Sequence, residues 1–247
     1  MVGPMTESVL LTLAAASAAA FGLALLSAVA GFGGGVLLLP VFTVLFGLRA
    51  AVPMLTLTQL SSNGSRVWLN RRELRGSIIG WFALGAVPCA VIGGVLLTHA
   101  PLPVLKRLLG VFLIGVVVWR RVRRRPRPPS QPAFAVVGAA SGLGSALLGS
   151  VGPLTAPFFL AAGLTRAAYI GTEAASALTM HVTKIATYGA GDLLTTRVLL
   201  YGAALTPSTL LGAWTGKKIV GRISDRVFVL LVEIGLLAAG ALFLTGL

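Results

Sequence analysis

Apolar runs and short polar interruptions alternate along the whole chain. Residues 8–30, 50–69, 76–98, 133–149, 165–190, 197–216 and 226–247 are apolar stretches of spanning length, since roughly 20 residues of helix cross a bilayer. A shorter run, 104–119, is expected to cross as well, whereas 36–47 and 153–163 are too short at ordinary tilt. The pattern predicts an all-α polytopic membrane protein. Each short run is tied to a glycine cluster and a proline: Gly31-Phe32-Gly33-Gly34-Gly35 leads to Pro40, and Gly149-Ser150-Val151-Gly152-Pro153 leads to Pro157. Glycine opens backbone angles closed to other residues and proline lacks the N–H a helix uses, so each stretch is expected to interrupt a helix. At bilayer depth such backbone is tolerated only where protein or a water-filled cavity covers it, which marks both breaks as candidate transport sites.

The breaks belong to a wider internal correspondence. Gly47-Leu48-Arg49-Ala50-Ala51 resembles Gly163-Leu164-Thr165-Arg166-Ala167-Ala168, Pro88 with Gly93 matches Pro207 with Gly212, and Leu105-Lys106-Arg107 matches Ser224-Asp225-Arg226. The chain therefore divides into a first transmembrane repeat, 1–119, a basic proline-rich linker, 120–132, and a second repeat, 133–247. The linker carries Arg120, Arg121, Arg123, Arg124, Arg125 and Arg127, and the positive-inside rule makes it cytoplasmic, together with the basic loop 70–75. In the second repeat a different loop is basic, Lys217-Lys218 through Arg222 and Arg226, while the counterpart of 70–75 carries little charge. Basic loops alternate between the copies, as two inverted-topology repeats of about five hydrophobic segments each require. The short runs then either cross or form a broken or re-entrant helix, and their length and glycine content favour the latter.

Composition sharpens this picture. The chain is 56% hydrophobic and 11% charged with a mean hydropathy of +0.94, which excludes an ordinary soluble domain. A net charge of +14 would suit nucleic acid, but the basic residues lie at segment ends. The expected partner of the linker is instead the anionic lipid headgroup, with no nucleic acid. Only Glu7 is charged before residue 49, so the first apolar run is expected to be retained rather than cleaved as a signal. Trp68, Trp81, Trp119 and Trp214 fall near segment ends, where indoles favour the interface. The single cysteine, Cys89, reads as a packing residue.

After each break comes a helix with a polar stripe. Gln59, Ser62, Asn63 and Arg66 share one face at i, i+3, i+4 and i+7, and Glu173, Ala177, His181, Lys184 and Tyr188 share another. At a common spacing Asn63 matches His181 and Arg66 matches Lys184. A cation at bilayer depth costs roughly 2.5–3.5 kcal/mol, so two corresponding cations predict an anion between them. The bland readings are that Arg66 snorkels to the cytoplasmic surface and that His181 is a hydrogen-bonded packing residue. Glu173, too far along the helix to touch His181, either binds a proton or caps amides at the break; with His181 it is a candidate for proton coupling. Glu233, the other carboxyl in an apolar run, has an apolar counterpart and is expected to lie outside the site. Helix ends at the breaks add amide donors. The candidate substrate-binding set is Gly33, Gly34, Gly35, Gln59, Asn63, Arg66, Gly152, Thr172, His181 and Lys184. No Walker motif, zinc-spaced His/Cys set or nucleophile elbow is present, so neither catalysis, metal nor cofactor is expected.

On the cluster Gly31-Phe32-Gly33-Gly34-Gly35 with Pro40, the repeated Gly-Leu-x-Ala-Ala turn and the polar helix after each, the chain resembles the sulfite exporter TauE/SafE family over nearly its whole length. The resemblance implies a multi-pass permease of the bacterial inner membrane for sulfite, sulfonates or related sulfur compounds. Ser150, Val151 and Pro153 stand where the family has glycines, so the second half is expected to act more through Lys184 and His181, and the first through the backbone of Gly33 to Gly35. The expected activity is secondary transport of a small sulfur oxyanion by alternating access, in a chain free to form a homo-oligomer. The alternative is a passive anion channel or a scaffold whose glycines pack helices.

Overall fold

A computed structural model describes residues 14–25, 35–122, 129–219 and 225–245, and these form ten helices and no strand. In chain order they are α1 (Ala14–Leu25), α2 (Gly35–Phe46), α3 (Leu48–Leu69), α4 (Gly76–His99), α5 (Leu102–Val122), α6 (Ala133–Leu148), α7 (Gly152–Ala161), α8 (Arg166–Ala190), α9 (Thr196–Ile219) and α10 (Asp225–Leu244). Gly33 and Gly34, and linker residues 123–128, lie outside the described residues. Among the described residues two helices are both long and apolar enough to cross a membrane, α4 and the Leu102–Trp119 part of α5. Helices α3, α8 and α9 have 22, 25 and 24 residues, roughly 33 Å or more at about 1.5 Å per residue, but carry polar residues. Outward on α4 stand Leu84, Val91, Ile92 and Val95, all exposed; a continuous apolar face of this kind is stable against lipid rather than water.

The short segments are helices of 12 and 10 residues, α2 and α7, about half a bilayer long. Their prolines do not end them, against expectation: Pro40 and Pro157 both lie inside. Each is the sixth residue of its helix, so the N–H it lacks would have bonded only a carbonyl of the first turn. The observed break is made by Gly149, which closes α6 at φ 80°, followed by Ser150 and Val151.

Helices α3 and α8 pack on each other, α4 on α8 and α9 on α3, while α5 pairs with α10 and α4 with α6. The α4–α6 contact is the closest in kind. A Cβ at Gly138 or Gly142 would collide with the backbone of Phe82 or Ala86, and one at Gly85 with that of Ala135. Gly138 and Gly142 are four apart, the small-xxx-small spacing that lets helix backbones touch in a membrane. Gly212 of α9 meets the Phe21 carbonyl of α1 in the same way. Arg49 reaches from α3 to the end of α4, its Nε and Nη2 donating to the carbonyls of Leu97 and Ala100 at 3.3 and 2.9 Å, and so satisfies acceptors the helix leaves open. One apolar core gathers Leu39, Phe42, Met54, Leu55, Leu97 and Tyr188, and a second stacks Phe82 and Phe134 on Phe159.

Candidate functional site

Where α3, α8 and the α6–α7 break meet, a small polar cavity of about 30 Å³ opens, enough for one or two water-sized groups. Gln59, Asn63 and Arg66 line it from α3, Glu173 and His181 from α8, and Ser145, Ser150, Gly152 and Thr155 from the break. The fourfold and threefold spacings that put Gln59, Asn63 and Arg66 on one helix face thus place them at one opening. Five of the predicted substrate-binding residues therefore meet here: Gln59, Asn63, Arg66, Gly152 and His181. Glu173, predicted for protons, joins them.

The break presents two helix ends of opposite polarity. Helix α6 arrives with its C-terminal carbonyls, the negative end of its dipole, and α7 leaves from its positive N-terminus, where Gly152 faces the cavity. Donors converge on the negative end. The Gly149 carbonyl accepts from Gln59 Nε2 at 3.3 Å, Lys184 Nζ at 3.2 Å and Ser145 Oγ at 3.4 Å, and the Ala146 carbonyl accepts from Tyr188 Oη at 2.7 Å. Lys184 also donates to Ser145 Oγ at 3.0 Å and is fully buried. Its ammonium therefore lies behind Ser145, at the end of α6, rather than among the groups lining the cavity. A cation is favoured there by the dipole, and no carboxylate pairs with it among the described residues.

Arg66 is partly exposed, and its guanidinium is paired. Its Nη2 contacts Glu173 Oε2 at 2.7 Å and its Nη1 donates to Asn63 Oδ1 at 3.0 Å, so guanidinium and carboxylate bridge α3 to α8. This assigns Glu173 a partner that neither expected role, proton site nor amide cap, had included. His181 is 2% exposed, and its Nδ1 has no hydrogen-bond partner among the described residues. A buried polar atom left so costs about 1–3 kcal/mol, and the cavity is where a partner can be supplied.

Two predicted residues stand apart. Thr172 is fully buried with Oγ1 accepting from the Arg75 backbone N–H at 3.0 Å, a tie between α8 and the loop before α4. Gly35 begins α2, while Gly33 and Gly34 lie outside the described residues. Sequence reasoning missed Ser145 and Thr155. Ser141 and Ser145, four apart on α6, were the available signal for the first, and Thr155 in the first turn after a break for the second. Glu233 does lie elsewhere: its Oε2 accepts from Arg121 Nε and Nη2 at 3.0 and 2.6 Å, joining α10 to α5 beside the linker.

An all-helical chain with lipid-compatible outer faces and a polar cavity lined at a helix break belongs to the class of membrane transport proteins. Its residues 16–243 match the family profile described as sulfite exporter TauE/SafE, and the chain belongs to that family, one of membrane transporters of sulfur anions rather than of enzymes. No curated protein and no solved structure matches it.

Proposed function

We propose that this protein is a secondary transporter that moves sulfite or an organosulfonate across the bacterial inner membrane by alternating access of two inverted halves. The observation that carries the reading is the meeting, in one cavity, of the Arg66 guanidinium, the N-terminus of α7 and the unpartnered Nδ1 of buried His181. The guanidinium and the helix N-terminus favour an anion with several acceptor oxygens, and Nδ1 joins them in the tautomer that carries its proton there. Gln59, Asn63, Arg66, His181 and the Gly152 amide bind it, Lys184 contributes its charge from behind Ser145, and the first break adds the amides of Gly33 to Gly35. Thr172 acts at one remove, by fixing α8 to the loop at Arg75.

A twofold relation between the halves has its own support, and the alternation of basic loops gives it the inverted sense. The order of short and long helices in α1–α5 repeats in α6–α10, and contacts come in corresponding pairs: α4 with α6 and α9 with α1 through glycine, α4 with α8 and α9 with α3. Glu173 and His181 are the proton-coupling pair. The test is counterflow in proteoliposomes: saturable exchange of internal for external labelled sulfite is expected. Loss of one charge-assisted hydrogen bond, about 1.5–3 kcal/mol, makes Arg66→Gln weaken sulfite binding roughly 10- to 150-fold. Non-saturating flux without exchange would mean a channel, and unchanged flux in Arg66→Gln would remove the site.

A further inference from the structure

The cavity is closed by the protein's own anion. We propose that Glu173 is a tethered competitor of the substrate: its carboxylate occupies the Arg66 position that the transported oxyanion must take, and substrate enters only as Glu173 gives up that contact. This rests on the anion-site reading above.

Three observations lead here. First, the Arg66–Glu173 contact at 2.7 Å is single-pronged, one carboxylate oxygen on one guanidinium nitrogen, with the other prong turned to Asn63. A sulfur oxyanion with three oxygens can span the same fork and reach Asn63 or Gln59 as well. Second, the cavity of about 30 Å³ holds one or two water-sized groups, less than such an anion needs, so a lining group must move for it to enter. Lys184 is fully buried and held by Ser145 and Gly149, whereas the Arg66 and Glu173 side chains are 29% and 14% exposed and join two different helices. The pair is the part of the lining able to open. Third, among the described residues lining the cavity Glu173 is the sole carboxylate and Arg66 the sole guanidinium. A second negative charge beside one guanidinium is repelled by the first, so bound anion and ionised Glu173 exclude each other. Either the carboxylate withdraws or it takes up one proton per anion bound, which leaves the charge of the pocket unchanged.

The consequence is measurable. The wild-type Kd is the intrinsic Kd divided by the fraction of molecules in which Arg66 is free; if that fraction is about a tenth, Glu173→Gln, which retains the size but removes the charge, binds about tenfold tighter. Glu173 pairs with Arg66 of α3, which also holds Asn63; the neutral Ser150 and Thr155 of the break and His181 of α8 line the same cavity, and Tyr169, one turn before Glu173 on α8, interacts electrostatically with its carboxylate. His181 is unchanged in both proteins, so the difference between wild type and variant isolates Glu173. Methanesulfonate is the probe because it stays a monoanion across the range, with sulfite measured alongside.

The experiment is binding to purified full-length protein by calorimetry between pH 5 and 8, with thermal melting to establish folding. The expected result is a Kd in Glu173→Gln about tenfold below wild type at pH 8. Should Glu173→Gln fail to fold, Glu173→Asp serves: it keeps the charge, draws it back by one methylene from Arg66, and is expected to bind severalfold tighter. Equal or weaker binding in the folded variant, with Arg66→Gln abolishing it, would overturn the competitor and leave the anion site standing, with Glu173 reduced to orienting Arg66. Binding of both probes that Arg66→Gln leaves unchanged would overturn the site itself and the competitor with it.

Discussion

Gly149→Ala probes the break where the site is built. Gly149 lies at φ 80° and ψ −45°, a region that costs an L-residue about 1–3 kcal/mol. The added methyl would stand 3.1 Å from Leu39 Cδ1 and 3.4 Å from Leu55 Cδ1, ends of flexible side chains that can yield. Reduced freedom of the unfolded chain returns about 0.4–1 kcal/mol, leaving a net loss of about 1–2 kcal/mol. For a chain of this size that is a fall in Tm of roughly 2–8 °C, read by thermal unfolding in detergent. The same substitution turns the carbonyl on which Gln59, Ser145 and Lys184 converge, so sulfite binding by calorimetry is expected to weaken as well. Gly163→Ala is the control: its φ is 70° with no atom within 4 Å of the added methyl, and it lines no cavity. It is expected to lower Tm similarly and leave binding intact. A Gly149→Ala protein with wild-type melting and binding, or a Gly163→Ala protein that loses binding equally, would refute the assignment of the break as the organiser of the site.

Lys184→Met removes a donor from Ser145 and from the end of α6; Tm is expected to fall and sulfite affinity to drop less than in Arg66→Gln, because the ammonium lies behind the cavity wall, and an equal or larger affinity loss would place it in direct contact with substrate. In a Cys89→Ala background, Arg72→Cys and Lys217→Cys are expected to react with an impermeant maleimide from the same side of the membrane; reaction from opposite sides would end the inverted arrangement. Glu233→Gln loosens the tie between α10 and Arg121. It is expected to lower Tm with unchanged sulfite Kd, and a changed Kd would bring that pair into the transport path.

The sequence determined the membrane character, the helical content and the polar faces, because each follows from local quantities: apolar run length against bilayer thickness, and the angular period that set Gln59, Asn63 and Arg66 on one side of α3. It also located the second break, since Gly149 needs a backbone angle that few other residues accept. Pairing the two stripes as cation against cation was as far as periodicity reached. Which charges meet depends on how α3 and α8 lie against each other. Only the tertiary structure decided that Arg66 faces Glu173 across that contact and that Lys184 turns to the carbonyl end of α6. The physical reason is the same for both: a charge inside a membrane protein goes to the nearest opposite charge or dipole, and nearness between separate helices is set by packing.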